Sequence, residues 1–334
     1  MMMESKLPKI SIVTPSFNQA EFIEETIQSV LSQGYPNLEY IIIDGGSKDG
    51  SVDVIKKYEK YLTYWESKQD RGHAHALNKG FERTTGDIMG WINSDDKYLP
   101  QAFKIIGEIY TEFPDVEWTM GLYSNFDREG ALMGGENITR AVYKNVYSYI
   151  FKDLHIQQES VFWRRSLWER AGGHMSENVH FMIDTELWCR FFLLAELWHI
   201  DQVVGGYRTY GLNRFHVNKN KVEEDIQKCI CGMKENLPCD IKKLIEQILQ
   251  YSIDFNEHHE SIKAIEKKIN MGLLLKIVPF ALHQKLHDNL FSEEYKRLKV
   301  TSPLMPVHDS LCFKKIIKVE TGWQKEIVPY QFPY

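Results

Sequence analysis

The run Ile88-Met-Gly-Trp-Ile92 is apolar and too short for a helix, and after Asn93-Ser94 it meets two adjacent carboxylates, Asp95 and Asp96, with no basic residue between. A run of that length bounded by turn residues reads as a buried strand. Its carboxyl end is where open α/β sheets receive ligands. Two like charges there repel one another unless a cation meets them, and a hard divalent ion such as Mg²⁺ or Mn²⁺, itself holding phosphate oxygens, suits the position. On these residues alone a solvated turn with Asp96 capping the next helix is the competing reading.

The chain before that run alternates strands with helices. Residues 10–14 read as a strand followed by a turn at 15–18, then Phe22, Ile23, Ile27, Val30 and Leu31 fall at helical spacing until Gly34 and Pro36. A second strand at 39–43 runs into the glycine-bearing loop 44–51, where Ser51 caps a helix to about Tyr61. A strand at 62–66, a loop at 69–72 and a helix with Ala74, Leu77 and Phe81 on one face lead back to the opening run. This order implies an α/β fold, a largely parallel sheet with helices on both faces.

Further on, residues 103–110, 166–171 and 184–195 read as helices, and 116–126, 161–163 and 197–207 as strands. Residues 127–154 form a Gly- and Tyr-rich insertion with no readable element. From about residue 218 the pattern turns Lys/Glu-rich and helical, with strand character only at 313–319. The expected division is therefore 1–217 and a mainly helical C-terminal extension, 218–334.

Charge narrows the function classes. Residues 1–217 carry 22 basic and 30 acidic side chains and the remainder 18 and 16, so no basic surface for nucleic acid is expected. Five cysteines show no paired framework, which fits a reducing, cytoplasmic compartment. The longest apolar stretch, 271–282, is broken by Lys276 and Pro279 and is shorter than the ~20 residues a membrane span needs. A helical core segment is its main reading and peripheral attachment to a membrane surface the minor one.

Three loops follow three neighbouring strands: 14–18, 44–51 and 93–96. In a parallel sheet they emerge on one edge. The first offers the aromatic face of Phe17 and backbone groups, the second a carboxylate able to accept an imide N–H, and the third a place for a metal. Together they suit a nucleoside diphosphate.

Six motifs in order resemble family 2 nucleotide-sugar glycosyltransferases, which have the GT-A fold, and in particular bacterial members that build cell-surface polysaccharides. They are Ile12-Val-Thr-Pro-Ser-Phe-Asn18, Asp44-Gly-Gly-Ser-Lys-Asp-Gly-Ser51, Gln69-Asp-Arg-Gly-His-Ala-His-Ala-Leu-Asn-Lys-Gly80, Asn93-Ser-Asp-Asp96, His155-Ile-Gln-Gln-Glu-Ser-Val-Phe-Trp-Arg-Arg165 and Asp184-Thr-Glu-Leu-Trp-Cys-Arg190. The match covers about residues 9–217.

The resemblance implies that Thr14, Pro15, Phe17 and Asn18 hold a uridine or thymidine and that Asp44 reads the base, since uracil and thymine carry an N3–H that cytosine lacks. A turn residue bonding its own backbone is the alternative for Asp44. Asp70, His73, Asn78 and Lys79 are expected to line the donor pocket, with Asn93 and Ser94 beside it. Asp95 would meet ribose or metal and Asp96 the metal, with His216 able to complete the metal shell or bind phosphate. Asp184 is the expected general base and Glu186 its understudy, although a capping role for Asp184 is equally compatible with a helix start. Gln157, Gln158 and Glu159 are expected on the acceptor side. The sequence departs from the commoner pattern at Asn93, where many relatives carry aspartate, and at His73 and His75.

The implied function is an inverting transfer of a sugar from a UDP- or dTDP-sugar to a hydroxyl of a glycan or lipid-linked acceptor, in the cytoplasm or at the cytosolic face of the membrane. A sugar-phosphate nucleotidyltransferase would need a Gly-rich, basic phosphate loop where this chain has Pro15-Ser-Phe-Asn18. A catalytically silent sugar-binding or scaffold protein would have no need of Asp95, Asp96 and Asp184.

Overall fold

The computed structural model describes residues 7–133, 156–210, 219–237 and 312–329, together with 239 and 242. His216, most of the 127–154 insertion, the junction at 217 and the apolar stretch 271–282 lie outside the described residues.

Four strands make the parallel half of the main sheet: β1 (Ile10–Ser16), β2 (Leu38–Asp44), β3 (Tyr64–Ser67) and β4 (Ile88–Trp91). Their order is β3-β2-β1-β4, every neighbour parallel, with crossovers through α1 (Ile23–Leu31), α2 (Ser51–Tyr58) and α3 (His73–Phe81). All of β1 is buried, as a strand with partners on both edges and helices over both faces must be. Side chains alternate accordingly. Ile10, Ile12, Tyr40 and Ile42 join Ile23, Ile27 and Val30 of α1 on one face, and Val13, Ile41 and Ile43 join Leu77 and Phe81 of α3 on the other.

After the short β5 (Lys97–Tyr98) and α4 (Ala102–Glu112) come β6 (Trp118–Met120), β7 (Asn125–Phe126), β8 (Val161–Arg164) and α5 (Arg165–Arg170). Then follow α6 (Ile183–Phe192), β9 (Leu197–Ile200), β10 (Gly205–Arg208) and α7 (Lys219–Glu235). A hairpin, β11 (Cys312–Val319) and β12 (Gly322–Pro329), closes the described chain. Strand β8 runs antiparallel between β4 and β6, β9 lies parallel to β6, and β11 adds in parallel to β9. The strand expected at 313–319 is thus part of the main sheet.

Two expected strands each divide between sheets. Residues 116–126 supply β6 to the main sheet and β7 to a small one, and 197–207 supply β9 and β10 likewise, with β5-β10-β7 forming the small sheet. Glycines permit this. A Cβ on Gly205 would fall on the Glu159 carbonyl and one on Gly206 on the Ser124 hydroxyl, so β10 reaches this depth only without side chains there.

Helix α6 is seated by aromatic packing. Trp188 stacks on Trp91 and on Trp118, each at 5.6 Å between ring centroids, with the Trp163 ring 5.8 Å away. Helix α7 packs on α6, its Val222, Cys229, Ile230 and Met233 entering the core that holds Met182, Ile183 and Cys189. No helix among the described residues is long and apolar enough to cross a membrane. Replacing Trp188 by Ala removes the ring that joins three strands to α6, and denaturant unfolding is expected to show a loss of about 3–5 kcal/mol.

Candidate active site

The loops after β1 and β2 form one unit. Asn18, at φ 53°, accepts the Lys48 N–H at 3.0 Å, and its own N–H donates to the Ser47 hydroxyl at 2.7 Å. The Gln19 and Ala20 N–H groups reach Ser51 at 2.8 Å and Asp49 at 2.9 Å. These bonds leave Phe17 on the outside, 60% exposed, which is unusual for a phenylalanine and presents a bare ring face.

Several expected nucleotide contacts lie beneath this surface. Thr14 is buried, its hydroxyl 3.0 Å from that of Tyr40, and Pro15 is buried beside it. Asp44 is fully buried. One of its oxygens accepts from Gly46 N–H at 3.0 Å, Ser47 N–H at 2.9 Å and the Ser67 hydroxyl at 2.6 Å, and the other accepts from the Ser47 hydroxyl at 2.5 Å. Asp44 thus organises its own loop, the turn role that the sequence left open beside base reading. A carboxylate with free capacity stands nearby: Asp70 Oδ1 accepts the Gly72 N–H at 2.8 Å, while Oδ2 lies against Gly45 next to the Phe17 ring.

The rest of the third motif is also engaged. Asn78 spends both ends of its amide on the Met175 backbone, at 3.0 and 2.7 Å, and Lys79 pairs with buried Glu66. Arg71 forms a two-pronged ion pair with Glu177 at 2.7 and 2.8 Å. Asn78 and Lys79 thus fasten α3 to its neighbours while lining a cleft of about 510 Å³ between α3 and residues 173–178, and His73 opens the helix.

The turn after β4 carries the acidic centre. Asp96 is 1% exposed and accepts the Arg208 N–H at 2.8 Å and the Asn93 amide at 3.1 Å. Half-buried Asp95 accepts from the Tyr210 hydroxyl at 2.7 Å. Beneath them Arg208, 1% exposed, donates from Nε to the Asp95 carbonyl at 2.6 Å and from Nη1 to the Arg128 carbonyl at 2.8 Å, and it pairs with Glu25 of α1. Ser94 is buried in the same turn. Tyr207, Arg208 and Tyr210 were not singled out as site residues by sequence reasoning, and the only signal was their place in the segment leading to His216.

Two further carboxylates face this turn. Glu159, 4% exposed, hydrogen-bonds to Asp96 side chain to side chain. Burial pushes Glu159 up to about 7, and the nearby charges of Asp184 and Asp95 add to it. Burial, with the charges of Glu159 and Asp95, holds Asp96 well above the usual carboxylate range. Burial pushes Asp184, at the head of α6, up to about 6 against the pull of Thr185. Glu186, its understudy, is tied to Arg190 at 2.7 Å and is not free for the role.

Gln157 and Gln158 are buried and occupied. Gln157 bonds both backbone groups of Ser124, and Gln158 donates to the Trp91 carbonyl at 2.8 Å. With Glu159 they form a buried layer against the acidic turn, Gln158 also accepting from the Asn93 amide at 3.4 Å. Among the described residues no group of three or more His, Cys, Asp or Glu side chains is disposed to hold a metal by itself. The donor set nonetheless fits a hard cation shared with a ligand: crowded carboxyl oxygens, and beside them a buried Asn93 Oδ1 without a hydrogen-bond partner.

A mostly parallel sheet that collects two stapled loops and an acidic turn on one edge is the GT-A glycosyltransferase architecture. The chain belongs to glycosyl transferase family 2, whose model matches residues 11–198. The putative teichuronic acid biosynthesis glycosyltransferase TuaG of Bacillus subtilis is 41% identical over 96 residues, 27% of this chain and 37% of its own. The chain thus spans little more than a third of that relative. An uncharacterized glycosyltransferase of Haemophilus influenzae is 23% identical over 300 residues, covering 85% of this chain and 93% of the relative. Among solved structures, S. aureus TarS 1–349 in complex with UDP-GlcNAc superposes with a TM-score of 0.57 at 16% identity, over 71% of this chain and 70% of that one. The mannosyltransferase PcManGT from Pyrobaculum calidifontis, in complex with GDP-Man and Mn²⁺, gives 0.55 at 18% identity over 89% and 80%. At these identities the likeness is one of fold.

The raised carboxyls carry a pH signature in the protein without ligands. Their folded values lie above the unfolded ones, so the folded chain holds these protons more tightly. Stability from Glu159 and Asp184 is full below pH 4 and is lost as pH rises through 6 to 7. Urea unfolding in chelator is expected to show a fall of about 4 kcal/mol between pH 5 and 8.

Proposed function

We propose that the protein transfers a sugar from a nucleoside-diphosphate donor to a hydroxyl of a glycan or lipid-linked acceptor, inverting the anomeric centre, at the cytosolic side of a cell that builds surface polysaccharide. The observation that carries this reading is the meeting of Asp95, Asp96, Glu159 and Asp184 on the sheet edge where Phe17 is bare. The ligands bound by the structural neighbours, UDP-GlcNAc in one and GDP-Man with Mn²⁺ in the other, are in keeping with it.

In this reading the Phe17 ring stacks on the base, and Asp70 Oδ2 accepts the N3–H of a uracil or thymine. Asp44 and Asn18 hold the two loops in place. Asp95, the more exposed of the adjacent pair, presents oxygen toward the diphosphate, while Asp96 ties the turn to β10. Asp95 and the Asn93 carbonyl would hold Mg²⁺ or Mn²⁺ together with phosphate oxygens, with His216 a further candidate ligand by its sequence. Such an ion supplies positive charge to the departing diphosphate. Asp184 takes the proton of the acceptor hydroxyl as that oxygen attacks the sugar carbon opposite the leaving group, a role that needs the carboxylate form.

A thermal-shift screen of UDP, dTDP, GDP and CDP, with and without Mn²⁺, tests the donor assignment. UDP or dTDP is expected to raise the melting temperature, and more so with Mn²⁺, because a ligand that binds only the folded state stabilises it. Asp70→Ala should weaken UDP binding about tenfold and remove its advantage over CDP. No shift with any nucleotide would overturn the reading. Asp184→Asn is expected to bind UDP unchanged and to lose transfer by a factor of about 10²–10⁴. In the unaltered protein turnover should climb with pH to about 6 and level off above it.

A further inference from the structure

Helix α7, from the region to which the sequence assigned no role, places one buried acid against the chain that enters α6. Asp225 is 3% exposed and takes no part in the acidic centre. A single oxygen, Oδ2, accepts the N–H of His180 at 2.8 Å and of Phe181 at 2.9 Å, from residues 45 and 44 positions earlier. Helix α6 has no side-chain cap of its own, and Met182 stands at its N-cap. The N–H groups at a helix start need acceptors from elsewhere, and a negative charge there also complements the helix dipole. Asp225 brings its charge to that end and takes the N–H groups of the two residues just before the N-cap, with the Met182 N–H also drawn to it, at the step before the turn that carries Asp184.

The rest of α7 keeps that acid in place. Val222, Cys229, Ile230 and Met233 are buried with Met182 and Ile183, and the Cys229 sulfur lies 3.9 Å from the Met182 carbonyl. Lys228 approaches Asp225 at 3.6 Å. Burial opposes the charge on this carboxyl, and the N–H groups of Phe181 and His180, with Lys228 and Met182, outweigh it and hold the group below the usual range. Among the described residues Asp184 bonds only locally, to the Thr185 N–H at 2.7 Å, so its place near Glu159 depends on where α6 begins.

We infer that Asp225 is a positioning residue for the transfer reaction, fixing the entry to α6 so that Asp184 stands where an acceptor hydroxyl can reach it. This rests on the assignment of Asp184 as the base. Small displacements of a reacting group are costly, on the order of a hundredfold in rate for 1 Å.

The test uses the full chain with D225A, D225S, D225N and D184N. Each is assayed for nucleoside diphosphate released from the nucleotide sugar that the unaltered protein turns over fastest, with UDP affinity and melting temperature measured in parallel. D225A and D225S are expected to lower kcat about ten- to a hundredfold while KM for donor and Kd for UDP stay within about twofold. D225N keeps an oxygen that can accept both N–H groups and should recover most of the rate. D225S retains a polar group too short to span both amides, and it carries the comparison should D225A not fold. If D225A or D225S keeps full kcat while D184N is inactive, the positioning role is overturned and the base assignment stands. If D184N keeps its kcat, the base assignment falls and the inference with it.

Discussion

A guanidinium buried under two carboxylates sets the terms for the rest of this molecule. Arg208 is closed off from water, and its donors reach Glu25 on α1, the Asp95 carbonyl and the 127–128 backbone. A buried charge is tolerable only when it is paired and fully hydrogen-bonded. Here that requirement pulls the small sheet, α1 and the end of β4 into one place. The backbone N–H of the same residue then meets the Asp96 carboxyl, so the turn that bears both acids is held from below by β10. The acids can be crowded because the frame around them cannot relax apart.

The two loops on the other side of β1 show a different economy. Asp44, Asp49 and Asn18 are polar residues at the carboxyl edge of the parallel strands, yet they bond to neighbouring backbone and hydroxyl groups. Their work is to hold a glycine-rich segment in one shape, which leaves Phe17 and Asp70 as the groups with faces to offer. A polar residue in a motif is therefore as often a fixture of the loop as a contact to its ligand. Burial and hydrogen-bond capacity tell the two apart.

The fold was legible where periodicity is strong. The β-α-β-α order up to β4 follows from runs such as 39–43 and the 3.6-residue spacing of Ile23, Ile27 and Val30, and the meeting of three loops on one edge follows from parallel pairing. Strand division was not legible. Nothing in 197–207 says that Ile200 and Gly205 belong to different sheets, because the reason lies in the close approach of Glu159 and Ser124 from elsewhere in the chain. In the candidate site, the crowding of Asp95 and Asp96 at the end of β4 and the place of Asp184 at the head of α6 were legible from residue type and motif spacing. The occupation of Asn78, Lys79, Gln157 and Gln158 was not, since their partners Met175, Glu66, Ser124 and Trp91 are known only from tertiary structure. Arg208 stayed hidden for the same reason: a lone arginine on a strand announces neither burial nor its partners.

The pairing of β11 with β9 joins Lys314 to Trp198, partners more than a hundred positions apart. Until residues 312–319 have left the ribosome, β9 has an open flank, and open strand edges are templates for wrong partners. The nascent domain must pass through synthesis with that flank unguarded, closing a long loop late to finish its sheet. Strand β12, the outer edge of the sheet among the described residues, carries Lys325 and Glu326. Charges on a terminal strand discourage the addition of another chain, so the hairpin both completes the layer and ends its growth.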